Sequence, residues 1–214
     1  MIKGILFDLD GVIVNSEVYD QQIIESFIME NHYKTDPKIF RLWIGGSDDV
    51  DYWSIFKNLM HPDDDFEAFR MGLNEYHRKR KREIYFPPMA FPDSTFVIRQ
   101  LRYRGLKLAC CSSSAPWYIE RALQQLQIRN CFDLVLSGYD FKHSKPDPEI
   151  YLLALKKLGL NKEEALVIED SPYGIKAGNN AGIKVLARRD RQFDMNQSGA
   201  DELIDDLYGI FDYL

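Results

Sequence analysis

The sequence predicts an α/β fold: a doubly wound, mainly parallel sheet, interrupted once near its start by an all-helical insertion. Three observations carry this. An apolar run, Gly4-Ile5-Leu6-Phe7, leads straight into Asp8-Leu9-Asp10-Gly11-Val12. From residue 15 to 85 the apolar spacing is helical throughout. Beyond about residue 93, short apolar runs alternate with helical patterns, which implies right-handed crossovers and parallel strands.

The first strand is a continuous apolar run bounded by a turn signal, the pattern of a strand buried on both faces. At period two, Asp8 and Asp10 point to the same side of its carboxyl end. The helical stretch opens at Val14-Asn15-Ser16-Glu17, and Ile23, Ile24, Phe27 and Ile28 recur at helical spacing. Asp36-Pro37 starts a second helix. Ile44-Gly45-Gly46-Ser47-Asp48 breaks it, with Ser47 the N-cap of a third. Pro62 ends that helix, and a fourth over 63–82 closes on Arg78-Lys79-Arg80-Lys81-Arg82. Trp43, Tyr52, Trp53 and Phe56 read as the core of this insertion.

After Phe86-Pro87-Pro88 a helix over 93–103 ends at Gly105. Strands follow at 106–111, 132–136, 165–168 and 184–187, with a short last one at 202–204. Helices begin at Pro116, Pro148 and Pro172, and the latter two are capped by Gly159 and Gly182. The expected division is a Rossmann-like core of residues 1–14 and 86–214 and a helical cap of residues 15–85. Hinges are expected near 14–16 and 83–91.

A chain of 214 residues has room for one such domain and a small partner. Its net charge of −6 argues against nucleic acid or an anionic membrane as the main partner. No apolar stretch reaches membrane-spanning length. Acids inside the first apolar run exclude a signal peptide there. Cys110, Cys111 and Cys131 are odd in number, and strand neighbours face opposite ways, so a reduced cytoplasmic protein is expected. Nothing demands more than a monomer.

Each strand of the core ends in a polar group with chemistry. The first ends in Asp8 and Asp10, and the second in Ser112-Ser113-Ser114. The third leads to Lys145-Pro146-Asp147-Pro148, and the fourth ends in Glu169-Asp170-Ser171-Pro172. In a parallel sheet these ends share one edge, where ligands bind. Taken singly, each has an ordinary reading. The serines serve as turn and cap residues, Asp147 and Ser171 as N-caps before prolines, Lys145 as a solvated loop residue and Glu169-Asp170 as a strand end. Their agreement in order and position selects the functional reading. Four carboxylates against one lysine call for a hard divalent cation, and magnesium fits because it uses one or two carboxylates plus a substrate phosphate. Ser112 and the following helix N-terminus offer donors to phosphate oxygens. A carboxylate nucleophile, a metal and a lysine together suit phosphoryl transfer through an aspartyl-phosphate.

These motifs, with Gly174 and Ala177-Gly178 following, resemble the haloacid dehalogenase superfamily. Within it the chain is similar to the helical-cap branch that includes β-phosphoglucomutase and sugar-phosphate phosphatases. The resemblance implies that Asp8 is the nucleophile and Asp10 the general acid and then base. It implies that Ser112, with Ser113 beside it, and Lys145 hold the phosphoryl group. It also implies a magnesium ion on the Asp8 and Asp170 side chains and the Asp10 carbonyl, supported by Glu169. The dehalogenases proper lack the second acid and the metal, so Asp10 argues against dehalogenation.

The same resemblance places a substrate-facing loop at Gly45, Gly46 and Ser47, where the residues alone read equally well as a helix–helix turn. The sugar mutases carry a basic residue after such a glycine, and this chain has Asp48-Asp49. They carry a histidine where this chain has Asp20. Both changes favour hydrolysis of a small phosphorylated metabolite, with a hexose-phosphate mutase as the alternative. The run 77–82 reads as a solvated helix end whose charges complement the dipole, with a cap lysine or arginine reaching substrate as the alternative. No functional reading attaches to Phe91-Pro92-Asp93.

Overall fold

A computed structural model describes residues 1–36, 38–39 and 52–214. Six parallel strands form one sheet: β1 Gly4–Phe7, β2 Lys107–Ser112, β3 Leu134–Ser137, β4 Ala165–Glu169, β5 Lys184–Arg188 and β6 Glu202–Ile204. Their spatial order is β3-β2-β1-β4-β5-β6. The order reverses between β1 and β4, so the crevice at the carboxyl edge opens between the strands that lead into Asp8 and Asp170.

Alternation along the strands explains the two layers. Ile5 and Phe7 of β1, with Leu108, Cys110, Leu166 and Ile168, face one apolar cluster. Helices α4 (Ser94–Tyr103) and α5 (Pro116–Gln125) pack there through Val97, Ile98, Leu101, Ile119 and Leu123. Leu6, Ala109, Cys111 and Val167 face the other side, against α6 (Glu149–Leu158) and α7 (Pro172–Ala181). Gly159 and Gly182 end these two helices in the left-handed region, as expected.

Helices α1 (Ser16–Glu30), α2 (Tyr52–Leu59) and α3 (Phe66–Arg82) lie between β1 and β2 in the chain. They share a separate cluster of Ile24, Phe27, Ile28, Phe56, Phe69 and Leu73. Trp53 packs against that cluster, while Trp43 and the side chain of Tyr52 lie outside the described residues. The two connections run side by side. Asn15 N–H donates to the Met89 carbonyl at 2.8 Å, and Phe91 N–H to the Ile13 carbonyl at 3.1 Å.

Several boundaries move. α3 begins at Phe66, because the Asp65 carboxylate accepts from Ala68 N–H as its cap. Asp147 stands one residue before the cap position of α6, which Pro148 fills, although its carboxylate still accepts from Glu149 N–H. Ser171 is the N-cap of α7 as expected and accepts from Gly174 N–H.

Candidate active site at the carboxyl edge of the sheet

The strand ends sooner than period two requires. β1 stops at Phe7, and Asp8 N–H continues its ladder to the Ile168 carbonyl at 2.9 Å. The chain then turns, with Ile13 and Val14 N–H both donating to the Leu9 carbonyl. Asp10 therefore stands in a tight loop. Its carboxylate faces hydroxyls: Ser16 Oγ and Tyr118 OH (3.1 Å) donate to Oδ1, and Ser114 Oγ (2.7 Å) to Oδ2.

Asp8 faces the opposite charge. Lys145 Nζ lies 2.6 Å from Asp8 Oδ1, 2.6 Å from Glu169 Oε1 and 2.9 Å from the Cys111 carbonyl. The peptide joining Lys145 to Pro146 is cis. Tyr151 OH donates to the same Glu169 oxygen at 2.7 Å, and Asp170 N–H to the other at 3.1 Å. Oxygens of Asp8, Glu169 and Asp170 lie within 4.8 Å of one another, and all three residues are buried. The Asp10 side chain is not part of that cluster.

Burial dominates the electrostatics. It pushes the Asp8 carboxyl up to about 7, with Glu169 and Asp10 adding to it and Lys145 opposing it. Burial, then Glu169 and Asp8, hold Asp170 well above the usual carboxylate range. Lys145 goes the other way: burial works against its charge, but Asp8 and Glu169 outweigh it and raise it well above an ordinary lysine. One ammonium among three carboxylates leaves a negative excess in a place with little water. Hard oxygen donors with that excess fit a divalent cation such as magnesium.

Two glycines make the packing possible. A Cβ on Gly11, whose φ is +74°, would stand 1.7 Å from Asp170 Oδ2. One on Gly174 would stand 1.9 Å from the Glu169 carboxyl carbon. The spacing Glu169-Asp170-x-x-x-Gly174 is thus the room a buried carboxylate needs beneath a helix start.

At the end of β2, Ser112 Oγ is almost fully buried and accepts from Ser114 N–H at 3.0 Å. Ser113 Oγ lies 3.4 Å from Ser144 Oγ. Ser113, Ser114 and Tyr118 line a cavity of about 440 Å³ whose far wall is His77, Arg78 and Lys81 of α3. The basic run is therefore not wholly solvated. The Lys81 side chain is only 15% exposed and reaches Asp20 at 2.8 Å. Burial works against the Asp20 charge, but Lys81 and His77 outweigh it and hold the carboxyl below its ordinary range. Glu17 lines a separate cavity with Gly11 and Asp170, and burial followed by the charges of Asp20 and Asp10 raises it to about 8.

The structure thus brings Asp8, Asp10, Ser112, Ser113, Lys145, Glu169 and Asp170 to one edge. Gly45, Gly46 and Ser47 lie outside the described residues. Tyr118 and Tyr151 are not legible in the sequence as site residues, while Asp20 reads there only as the replacement of a mutase histidine and Lys81 only as one of a basic run. Tyr118 and Tyr151 sit on helix faces whose apolar spacing signals only core, and Lys81 is one of five consecutive basic residues.

The family described as haloacid dehalogenase-like hydrolase matches residues 5–188. YhcW of Bacillus subtilis, whose phosphatase name is itself provisional, is 30% identical over 192 residues, covering 87% of this chain and 83% of its own. The phosphorylated carbohydrates phosphatase of Thermotoga maritima is 27% identical over 183 residues, with 86% and 83% covered. Among solved structures, a β-phosphoglucomutase from Clostridium difficile superposes with a TM-score of 0.75 at 25% identity, covering 100% of this chain and 95% of that one.

Proposed function

Because the chain belongs to the haloacid dehalogenase-like hydrolases, we propose that it is a magnesium-dependent phosphatase of a small phosphomonoester, a phosphorylated sugar above all. One observation carries the reading: Asp8, Lys145, Glu169 and Asp170 meet at the carboxyl edge of the sheet, with Asp10 beside them on a separate set of hydroxyl partners. Relatives named as phosphatases support it.

In this reading the Asp8 and Asp170 side chains and the Asp10 carbonyl would hold the cation, with Glu169 behind them. When bound, magnesium supplies positive charge against the phosphate oxygens. Asp8 attacks phosphorus, and its oxygen–phosphorus bond forms as the ester bond breaks. Asp10 gives its proton to the leaving oxygen, so an alcohol departs from an aspartyl-phosphate. Water then attacks phosphorus, the bond to Asp8 breaks, and the water proton returns to Asp10. Lys145 offsets charge on Asp8 and, with Ser112 and Ser113, holds the phosphoryl group. Glu169, gripped by Lys145 and Tyr151, aims the lysine. The helical insertion, residues 15–85, acts as a cap over the crevice, hinged at the paired segments near Val14 and Ala90, and excludes water during transfer. The 440 Å³ cavity beside Asp10 receives the leaving group, and the loop at Gly45, Gly46 and Ser47 contributes to its recognition. The enzyme works as a cytoplasmic monomer.

The test is phosphate release from a panel of metabolite monophosphates, with and without magnesium. Release should require the cation and fall to background in Asp8→Asn. Activity of Asp8→Asn at the wild-type rate would remove the covalent mechanism. A second reading, a hexose-phosphate mutase, is favoured by the likeness to a solved β-phosphoglucomutase. Asp20, tied to Lys81 and His77 where the mutases have histidine, weighs against it. Net glucose 6-phosphate from β-glucose 1-phosphate and catalytic bisphosphate, without free phosphate, would reverse the order.

A further inference from the structure

We infer that Tyr118 is a positioning residue for proton transfer at Asp10, and that Lys81, reaching across from α3, fixes the direction of its hydrogen bond. The inference rests on the proposed roles of Asp8 as nucleophile and Asp10 as proton carrier.

Of the three hydroxyls on Asp10, two belong to serines, which turn about a single bond. Tyr118 cannot turn away. The residue is 4% exposed, its ring edge-on to Phe86 at 4.9 Å and to Trp117 at 5.8 Å. Lys81 Nζ stands 4.7 Å from the ring centroid and 3.4 Å from the phenolic oxygen, and is itself anchored on Asp20 at 2.8 Å. The donor inventory then decides the geometry. An ammonium can only donate, and Asp10, whose own proton is committed to the leaving oxygen, presents Tyr118 with an accepting oxygen, so the phenol accepts from Lys81 and sends its one proton to Asp10. A phenol keeps its proton near neutrality, so the bond to Asp10 has its donor. Burial works against the ammonium, but Asp20 and Asp10 keep it charged.

A hydrogen bond to a carboxylate is stronger than one to a neutral carboxyl group. Tyr118 therefore holds Asp10 most firmly at the moment its proton passes to the leaving oxygen. A contact that strengthens along the reaction lowers the barrier. The help matters only where the leaving group needs a proton. Alcohols do, while p-nitrophenolate departs without one.

The experiment compares kcat/KM, which reports events through loss of the first leaving group, for benzyl phosphate and p-nitrophenyl phosphate in the presence of magnesium. Tyr118→Phe keeps the ring and removes the donor. It should lower the ratio of kcat/KM for benzyl phosphate to that for p-nitrophenyl phosphate, whose leaving group enters the same cavity, about tenfold, as loss of one bond to a charged group does. Lys81→Met should show the same selective loss. An equal loss on both substrates, or none on benzyl phosphate, would overturn the inference. So would a wild-type enzyme that hydrolyses p-nitrophenyl phosphate alone, since Asp10 would then lend no proton. Release from neither substrate would instead fell the phosphatase reading, and this inference with it.

Discussion

Gly11 shows how little freedom the site leaves its residues. The sequence marks it as a turn residue, and its φ of +74° agrees. Its second constraint comes from far along the chain, because a Cβ there would overlap the Asp170 carboxylate. Gly11→Ala must therefore both strain the turn and push Asp170 away from Asp8. The expected result is a folded protein whose activity needs at least about tenfold more magnesium for half-saturation, read by titrating the cation in the phosphate-release assay. An unchanged magnesium dependence would show that Asp170 does not hold the ion. At this scale, Asp8, Lys145 and Asp170 are legible only together: each has an ordinary reading alone, and their agreement in order along the core strands selects the functional one. Tyr118 is not, because nothing distinguishes it from a core aromatic until Asp10 is placed against its hydroxyl.

Elements are joined by a device that the sequence leaves without a reading. Asp93 precedes α4 and looks like its cap, yet its carboxylate makes no capping bond. It instead grips Arg188, at the end of β5, through two bonds of 2.9 and 3.0 Å, and accepts from Leu207 N–H at 2.6 Å. The Arg188 guanidinium lies 3.7 Å over the Phe91 ring, beside the second connection to the helical insertion. Phe91-Pro92-Asp93 thus ties α4, β5 and the C-terminal turn at Leu207–Tyr213 to one hinge segment. Asp93→Ala would leave a buried guanidinium without its partner, and the expected cost is about 3–5 kcal/mol in urea unfolding. A loss below about 1 kcal/mol would mean that Arg188 finds water or another acceptor.

For the molecule as a whole, the buried acids set how stability follows pH. Asp8 and Glu17 rise from ordinary values of 3.8 and 4.5 to about 7 and about 8. Between those limits the folded protein binds protons that the unfolded chain has released. Raising the pH through that window therefore removes stability from the cation-free protein. A cation on Asp8 and Asp170 favours their ionised forms and reverses the trend. Melting curves in chelator should fall from pH 5 to pH 8, and magnesium should raise the melting temperature more at pH 8 than at pH 5. An equal rise at both would show that the ion does not compete with protons for these carboxylates. The alternation of strands with helices, and with it the edge that gathers the acids, follows from the sequence alone, because hydrophobic period and strand-end chemistry are local properties written in consecutive residues; the order of the strands in the sheet does not. The early end of β1, the hydroxyl cradle around Asp10, the burial of Lys81 and the Asp93–Arg188 pair were decided only by tertiary structure. The early end of β1 is a turn closed on the Leu9 carbonyl; the others bring together residues far apart in the chain, and whether a polar side chain meets water or a partner depends on what the fold sets against it.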